Sequence, residues 1–161
     1  MPQVEFRIES WDEFWPDGMS LMQEEFNEYA NALGLWKPHE PDTDILEALV
    51  QRGLLVLMVA RVNGAVGAYL WWVVDRDVES KGHTIYRQGP FYAATRFAKY
   101  SLGMKLLRRS LEMIRRNVVG SVEVDLHHPP TGRGAQLEKI FTAMGAREVA
   151  THYRLRVSQK D

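Results

Sequence analysis

The sequence predicts a single α/β domain over residues 1–161, with a mixed, mostly antiparallel sheet flanked by helices. Three observations carry this expectation. Val4 to Ile8 and Ser121 to His127 alternate apolar and polar residues with the period of two that a half-buried strand requires. Other stretches place apolar residues three and four apart, as one face of an amphipathic helix does. Asn63-Gly64 joins two apolar runs, and this dipeptide suits a type I′ hairpin because both central residues must take positive φ.

The elements follow in order. After the first strand, Ser10 precedes Trp11, Asp12 and Glu13, an N-cap with acids in the first turn where the helix dipole favours them. Pro16 and Gly18 are expected to interrupt this helix before the pattern restarts with Met19, Met22, Phe26, Tyr29, Ala30 and Leu33. Asp42 and Thr43 can cap a second helix striped by Ile45, Leu46, Leu49 and Val50 and ending near Gly53. Leu54 to Val62 and Ala65 to Val74 form the hairpin. A further strand, His83 to Ala94, contains Gly89-Pro90, so a bulge should distort its middle. Ser101 can cap a helix whose buried face is Gly103, Leu106, Leu107, Ser110, Leu111 and Ile114. After the strand Ser121 to His127, a last helix striped by Leu137, Ile140, Phe141 and Met144 closes at Gly145, and Val149 to Val157 supplies the final strand or strand pair. This order, β-α-α-β-β-β-α-β-α-β, implies helices packed on the faces of a mixed sheet.

Composition bounds the function. Hydrophobic residues make up 45% and charged residues 25%, which argues for a packed core and against disorder. The chain has no cysteine, so disulfides, thiolate metal sites and cysteine nucleophiles are excluded. Met1 to Ser10 does not read as a signal peptide, and the longest apolar runs are too short to span a membrane, so a cytoplasmic location is expected. Charge is uneven: residues 1–50 hold 12 acids and 2 bases, residues 51–161 hold 9 acids and 18 bases. The halves either keep different surfaces wet, or the basic half holds an anion while the acidic half guides a cation toward it.

No phosphate loop, G-x-S-x-G elbow, H-E-x-x-H or G-x-G-x-x-G fingerprint occurs. The most informative segment is Phe91 to Leu107, where a distorted strand runs through a basic turn into an amphipathic helix. The first N–H groups of a helix lack partners and the dipole there is positive, so a phosphate can dock, with Arg96 and Lys99 adding charge. A plain strand–turn–helix link with solvated bases would read the same way.

This segment and the order of elements over nearly the whole chain resemble the GNAT superfamily of N-acetyltransferases, including divergent members of tailed phages. The resemblance implies a bulged fourth strand splayed from the fifth, with the pantetheine arm of acetyl-coenzyme A between them. It also implies a third helix opening with R/Q-x-x-G-x-G/A, whose amides hold the pyrophosphate. In that alignment Gly103 takes the last small position, Ser101 the first glycine and Ala98 the Arg/Gln position. Cofactor-binding residues implied by the resemblance are Phe91, Tyr92, Ala93, Arg96, Lys99, Tyr100, Ser101, Leu102, Gly103, Met104 and Phe141, and no metal is implied. Phe141 to Ala146 looks like the segment in which many members carry the tyrosine that protonates the leaving thiolate; Thr142 stands there instead, and a threonine hydroxyl is a much poorer acid. Tyr153, Tyr92 and Tyr100 are stand-ins for that acid or, alternatively, packing aromatics.

Transfer to an amine needs a base that accepts a proton near the working pH. His127 shares a face with Asp125 and Glu123 at the end of the strand that should flank the acetyl group, and is the first candidate; Asp125, His83 and Glu79 are alternatives. His127 and His128 cannot form a simple chelating pair, because neighbouring strand residues point to opposite faces. The implied activity is acetyl transfer from acetyl-coenzyme A to an amine of a protein or small molecule. The competing expectation is a catalytically degenerate protein of the same shape that binds a partner or forms a homodimer through Trp71-Trp72, one of which should face outward. Nucleic-acid binding through Lys105, Arg108, Arg109, Arg115 and Arg116 is disfavoured, because these mostly occupy a solvent face and the acidic first half repels phosphate.

Overall fold

The structure, a computed structural model, describes residues 2–33, 40–117, 119–127 and 132–148. The chain divides into two compact units, residues 1–127 and 128–161. In the first, strands β1 (Val4–Ile8), β2 (Leu55–Val62), β3 (Ala65–Arg76), β4 (His83–Ala93) and β5 (Ser121–Asp125) lie in the order β1-β2-β3-β4-β5. All neighbours are antiparallel except β4 and β5. Helices α1 (Trp11–Leu33) and α2 (Thr43–Gln51) precede β2, and α3 (Leu102–Asn117) connects β4 to β5. The described part of the second unit is helix α4 (Gly132–Ala143), closed as expected at Gly145, whose φ is +88°. The final strand expected at Val149 to Val157 lies outside the described residues. Among the described residues, no helix is long and apolar enough to cross a membrane.

Local chemistry accounts for most boundaries. Ser10 and Glu13 form a reciprocal capping box: the Glu13 carboxylate accepts from the Ser10 N–H at 2.9 Å, and the Ser10 Oγ accepts from the Glu13 N–H at 3.3 Å. These bonds hold the Glu13 carboxyl below its ordinary pKa. The Asp42 side chain caps α2 by accepting from the Ile45 N–H at 3.1 Å. Asn63 and Gly64 take φ of +50° and +85°, as the type I′ turn demands.

Helix α1 corrects one expectation, for it runs unbroken through Pro16 and Gly18. Pro16 is exposed, so the Asp12 carbonyl that loses its helical partner can turn to water. Gly18 is a close-packing position, where a Cβ would lie 2.3 Å from the ring of fully buried Phe14.

Helix α1 packs on one face of the sheet through an aromatic cluster. Trp11 meets Trp71 edge-on at 6.0 Å, and Phe14 meets Tyr69 at 5.4 Å. Such pairs contribute about 0.5–1.5 kcal/mol each beyond the area they bury. Helix α3 covers the other face with Leu102, Leu106, Leu107 and Ile114, all buried. This two-sided cover corrects a second expectation: Trp71 and Trp72 are both buried, at 7% and 0% exposure, and neither faces outward. β3 is also an interior strand, so the pair forms no sheet edge for a homodimer or partner.

Candidate active site

β4 and β5 part company halfway. Their parallel ladder runs from His83↔Ser121 to Arg87↔Asp125 and stops, while β4 continues to Ala93. Along β3 the register passes from Trp72↔Gln88 to Leu70↔Phe91, so Gly89 and Pro90 together oppose Trp71. This is the bulge expected from the Gly-Pro pair. Pro90 has no N–H for a ladder, and a Cβ on Gly89 would stand 3.1 Å from that of Trp71.

The extra residue changes the phase of the strand. Arg87 opposes Val73 and Tyr92 opposes Tyr69, so both share the face that α1 covers, whereas Gln88 and Phe91 share the α3 face with Trp72 and Leu70. The Ala94 N–H donates to the Gly67 carbonyl of β3 at 2.9 Å. By alternation, the N–H groups of Phe91 and Ala93 point away from β3, toward the side where, among the described residues, β5 no longer pairs with β4. At the point of divergence the buried Gln88 donates through Nε2 to the His127 carbonyl at 3.0 Å, and among the described residues its buried Oε1 has no partner.

Behind the gap, a 3₁₀ turn (Thr95–Tyr100) leads into α3. Ser101 joins the two with φ +52° and ψ +39°. This corrects the expected N-cap role, because a capping side chain needs extended rather than left-handed backbone. The left-handed conformation is the one a glycine adopts without cost, and Ser101 is the position aligned with the absent glycine. Its carbonyl accepts the Lys105 N–H, the first helical bond, so the amides of Leu102, Gly103 and Met104 open the helix without helical acceptors. Gly103 lets α3 approach β4: a Cβ there would be 3.4 Å from both the Ala93 Cβ and the Phe91 ring.

The other sequence-named residues are distributed unevenly. Arg96 and Lys99 are exposed beside the turn; Arg96 pairs with Glu24 of α1 at 2.5 Å, and Lys99 lies 5.0 Å above the Tyr100 ring. Tyr92 is buried on the α1 face, and Tyr100 is half-buried against Phe97. Asp125 shares the α1 face with Arg87, which it meets at 3.5 Å, and Arg87 also meets Asp75 at 3.3 Å. The His127 side chain is exposed just beyond β5. His83 lies at the far end of β4, between Ser121 at 2.8 Å and Glu123 at 3.5 Å. It is six residues, or roughly 20 Å of extended chain, from the bulge. A surface depression of about 400 Å³ lined by Arg76, Lys81 and His83 sits at that end, apart from the gap. Phe141 is on α4, in the second unit. Tyr153 and His128 lie outside the described residues, and among the described residues no group of three or more metal-ligating side chains occurs.

Sequence reasoning missed one pair. Glu25 of α1 is 9% exposed and accepts a short hydrogen bond from the hydroxyl of Tyr69, which is fully buried on β3. Burial pushes the Glu25 carboxyl up to about 7, against the lowering pull of the Tyr69 hydroxyl and the Phe91 backbone N–H; Glu28 raises it further. Tyr69 itself is driven well above its ordinary range by burial and by Glu25, so it stays protonated as a donor. The signal was present in outline: Glu25 falls three residues after Met22 and four before Tyr29, on the apolar stripe.

No protein-family model matches the sequence, and no curated protein sequence matches it. Solved structures do match in shape. A ribosomal-protein-alanine N-acetyltransferase from Brucella melitensis biovar Abortus 2308 superimposes with a TM-score of 0.74 at 16% identity, covering 98% of this chain and 99% of its own. An aminoglycoside acetyltransferase from an uncultured soil metagenomic sample, in complex with sisomicin, gives 0.71 at 13% identity over 96% and 97%. A predicted acetyltransferase with acetyl-CoA from Clostridium acetobutylicum gives 0.65 at 12% over 96% of each chain. With its bulged β4, its departing β5 and α3 set behind the gap, this chain has the GNAT N-acetyltransferase fold.

Proposed function

We propose that the protein transfers an acetyl group from acetyl-coenzyme A to an amine by direct attack. The observation that carries the proposal is the gap between β4 and β5. It begins where the Arg87↔Asp125 pairing ends, has backbone N–H groups of Phe91 and Ala93 directed into it, and has the start of α3 behind it. The pantetheine arm is an amide chain that can extend a strand edge by backbone hydrogen bonding, and the unpartnered Gln88 Oε1 beside the gap can accept from one of its N–H groups. The pyrophosphate fits the amides of Leu102, Gly103 and Met104, with Lys99 and Arg96 supplying charge and Tyr100 packing beside them. Phe91, Tyr92 and Ala93 line the β4 side, against which the thioester would lie. His127 and Asp125, at the end of β5, are the proton acceptors that sequence reasoning offers. The acidic first half favours a cationic acceptor, a peptide amine or a polyamine-like small molecule.

Calorimetric titration with acetyl-coenzyme A and coenzyme A tests the proposal. Saturable binding of both is expected, and absence of heat at millimolar ligand would sink it. The partner-binding alternative has lost the outward tryptophan that motivated it, since Trp71 and Trp72 are both buried.

A further inference from the structure

Sequence reasoning places the proton acceptor at the end of β5, but the groups there are poorly suited. Asp125 is 43% exposed and meets Arg87, which it shares with Asp75, so its carboxylate is already engaged by a guanidinium. His127 lies beyond the end of β5, exposed, with its carbonyl held by Gln88.

Glu25 is placed differently. It projects from α1 onto the face of the sheet where Tyr69 and Tyr92 stand side by side, two register positions from the bulge at Trp71. Its carboxylate interacts with the backbone N–H of Phe91, the residue that follows Gly89-Pro90 and whose N–H alternation directs into the gap. A carboxylate at that N–H lies on the α1 side of the gap, where an amine approaching from that side would meet it. Tyr69, packed between Phe14 and Trp71, has no freedom to leave it.

We propose that Glu25 accepts the proton of the acceptor amine during acetyl transfer, and that Tyr69 is the positioning residue that holds its carboxylate at the gap. The assignment rests on the acetyltransferase reading. In the step, the amine nitrogen forms a bond to the thioester carbonyl carbon and its N–H proton passes to Glu25. The carbon–sulfur bond breaks, and the coenzyme leaves as a thiolate that takes its proton from water. Burial suits the carboxylate to this task, because a base that titrates near 7 is both ionised and proton-accepting at neutral pH. The titratable groups around it are Glu28 and Tyr29 on α1, Tyr69 on β3 and Tyr92 on β4, with the Glu24–Arg96 pair one residue away on the helix.

The test follows thiol release from acetyl-coenzyme A with three amines: an aminoglycoside, a peptide with N-terminal alanine, and spermidine. Glu25→Gln should lower kcat about 100-fold while coenzyme affinity by calorimetry stays within about threefold. Tyr69→Phe removes a bond that lowers the Glu25 pKa, so the midpoint of its pH–rate profile should move up; Glu28→Gln removes a raising charge and should move it down. Retention of the wild-type rate and profile by Glu25→Gln would overturn the assignment and leave the acetyltransferase reading standing. Failure of the wild type to bind acetyl-coenzyme A would overturn both. Should it bind without acetylating any of the three amines, ¹³C NMR titration of Glu25 in the coenzyme-bound protein decides: a midpoint near 7 supports the assignment, and one in the ordinary carboxylate range overturns it.

Discussion

The Gln88 side-chain amide donates to the His127 carbonyl at 3.0 Å, directly after the last pairing between β4 and β5. The bond joins two strands that no longer share a backbone ladder, and so sets how far they part. Replacing Gln88 with Ala should cost about 1 kcal/mol in urea unfolding. The larger effect should be on ligand binding, with acetyl-coenzyme A affinity falling severalfold because both the latch and the unpartnered Oε1 are lost. Unchanged affinity would mean the side chain plays no part in shaping the gap.

A second prediction concerns the end of β1. Arg61 uses all five donors: two on the Glu9 carboxylate at 2.7 and 3.0 Å, two more on Asp17 and the Gly64 carbonyl at 2.6 Å each, and one on the Glu13 carbonyl at 2.8 Å. Glu9 and Arg61 are 1% and 5% exposed, so Glu9→Ala would strand a buried guanidinium and should destabilise by about 3–5 kcal/mol. Glu5→Ala, at an exposed position of the same strand, should stay within about 0.5 kcal/mol.

Ser101 supplies a third. A non-glycine residue in the left-handed region costs about 1–2 kcal/mol, so Ser101→Gly should raise the melting temperature and tighten coenzyme binding, whereas Ser101→Val should do the reverse. If Ser101→Gly lowers both, the serine hydroxyl rather than the backbone is what the site uses.

Stability should also depend on Glu25. Its folded-state pKa, about 7, exceeds the ordinary 4.5, so the folded state binds the proton more tightly. That stabilisation is fully present below about pH 4.5 and is lost as pH rises through 7. Glu25→Gln cannot ionise. It should match the wild type near pH 4.5 and exceed it by up to about 3 kcal/mol at pH 8.5, the size of a shift of this extent. A variant that is more stable and less active separates a catalytic carboxylate from a merely structural one.

What the sequence revealed and what it concealed divide along physical lines. The type I′ turn at Asn63-Gly64 and the bulge at Gly89-Pro90 were legible because positive φ and a missing N–H are local requirements. The continuity of α1 was not, since it depends on the Phe14 ring lying against Gly18 in three dimensions. Nor was the burial of Trp72, which needs α3 on the second face of the sheet. Glu25 looked like one more acid in an acidic segment. Its chemistry comes from Tyr69 and Phe91, 44 and 66 residues away, which reach it only through the register of β3 and β4.

The central claim is that the space between β4 and β5 holds acetyl-coenzyme A. Isothermal titration of the wild-type protein with acetyl-coenzyme A tests it most directly. Saturable one-to-one binding that weakens in Ser101→Val and in Gln88→Ala is the predicted result. The absence of binding at millimolar ligand, or binding that neither substitution alters, would contradict the account.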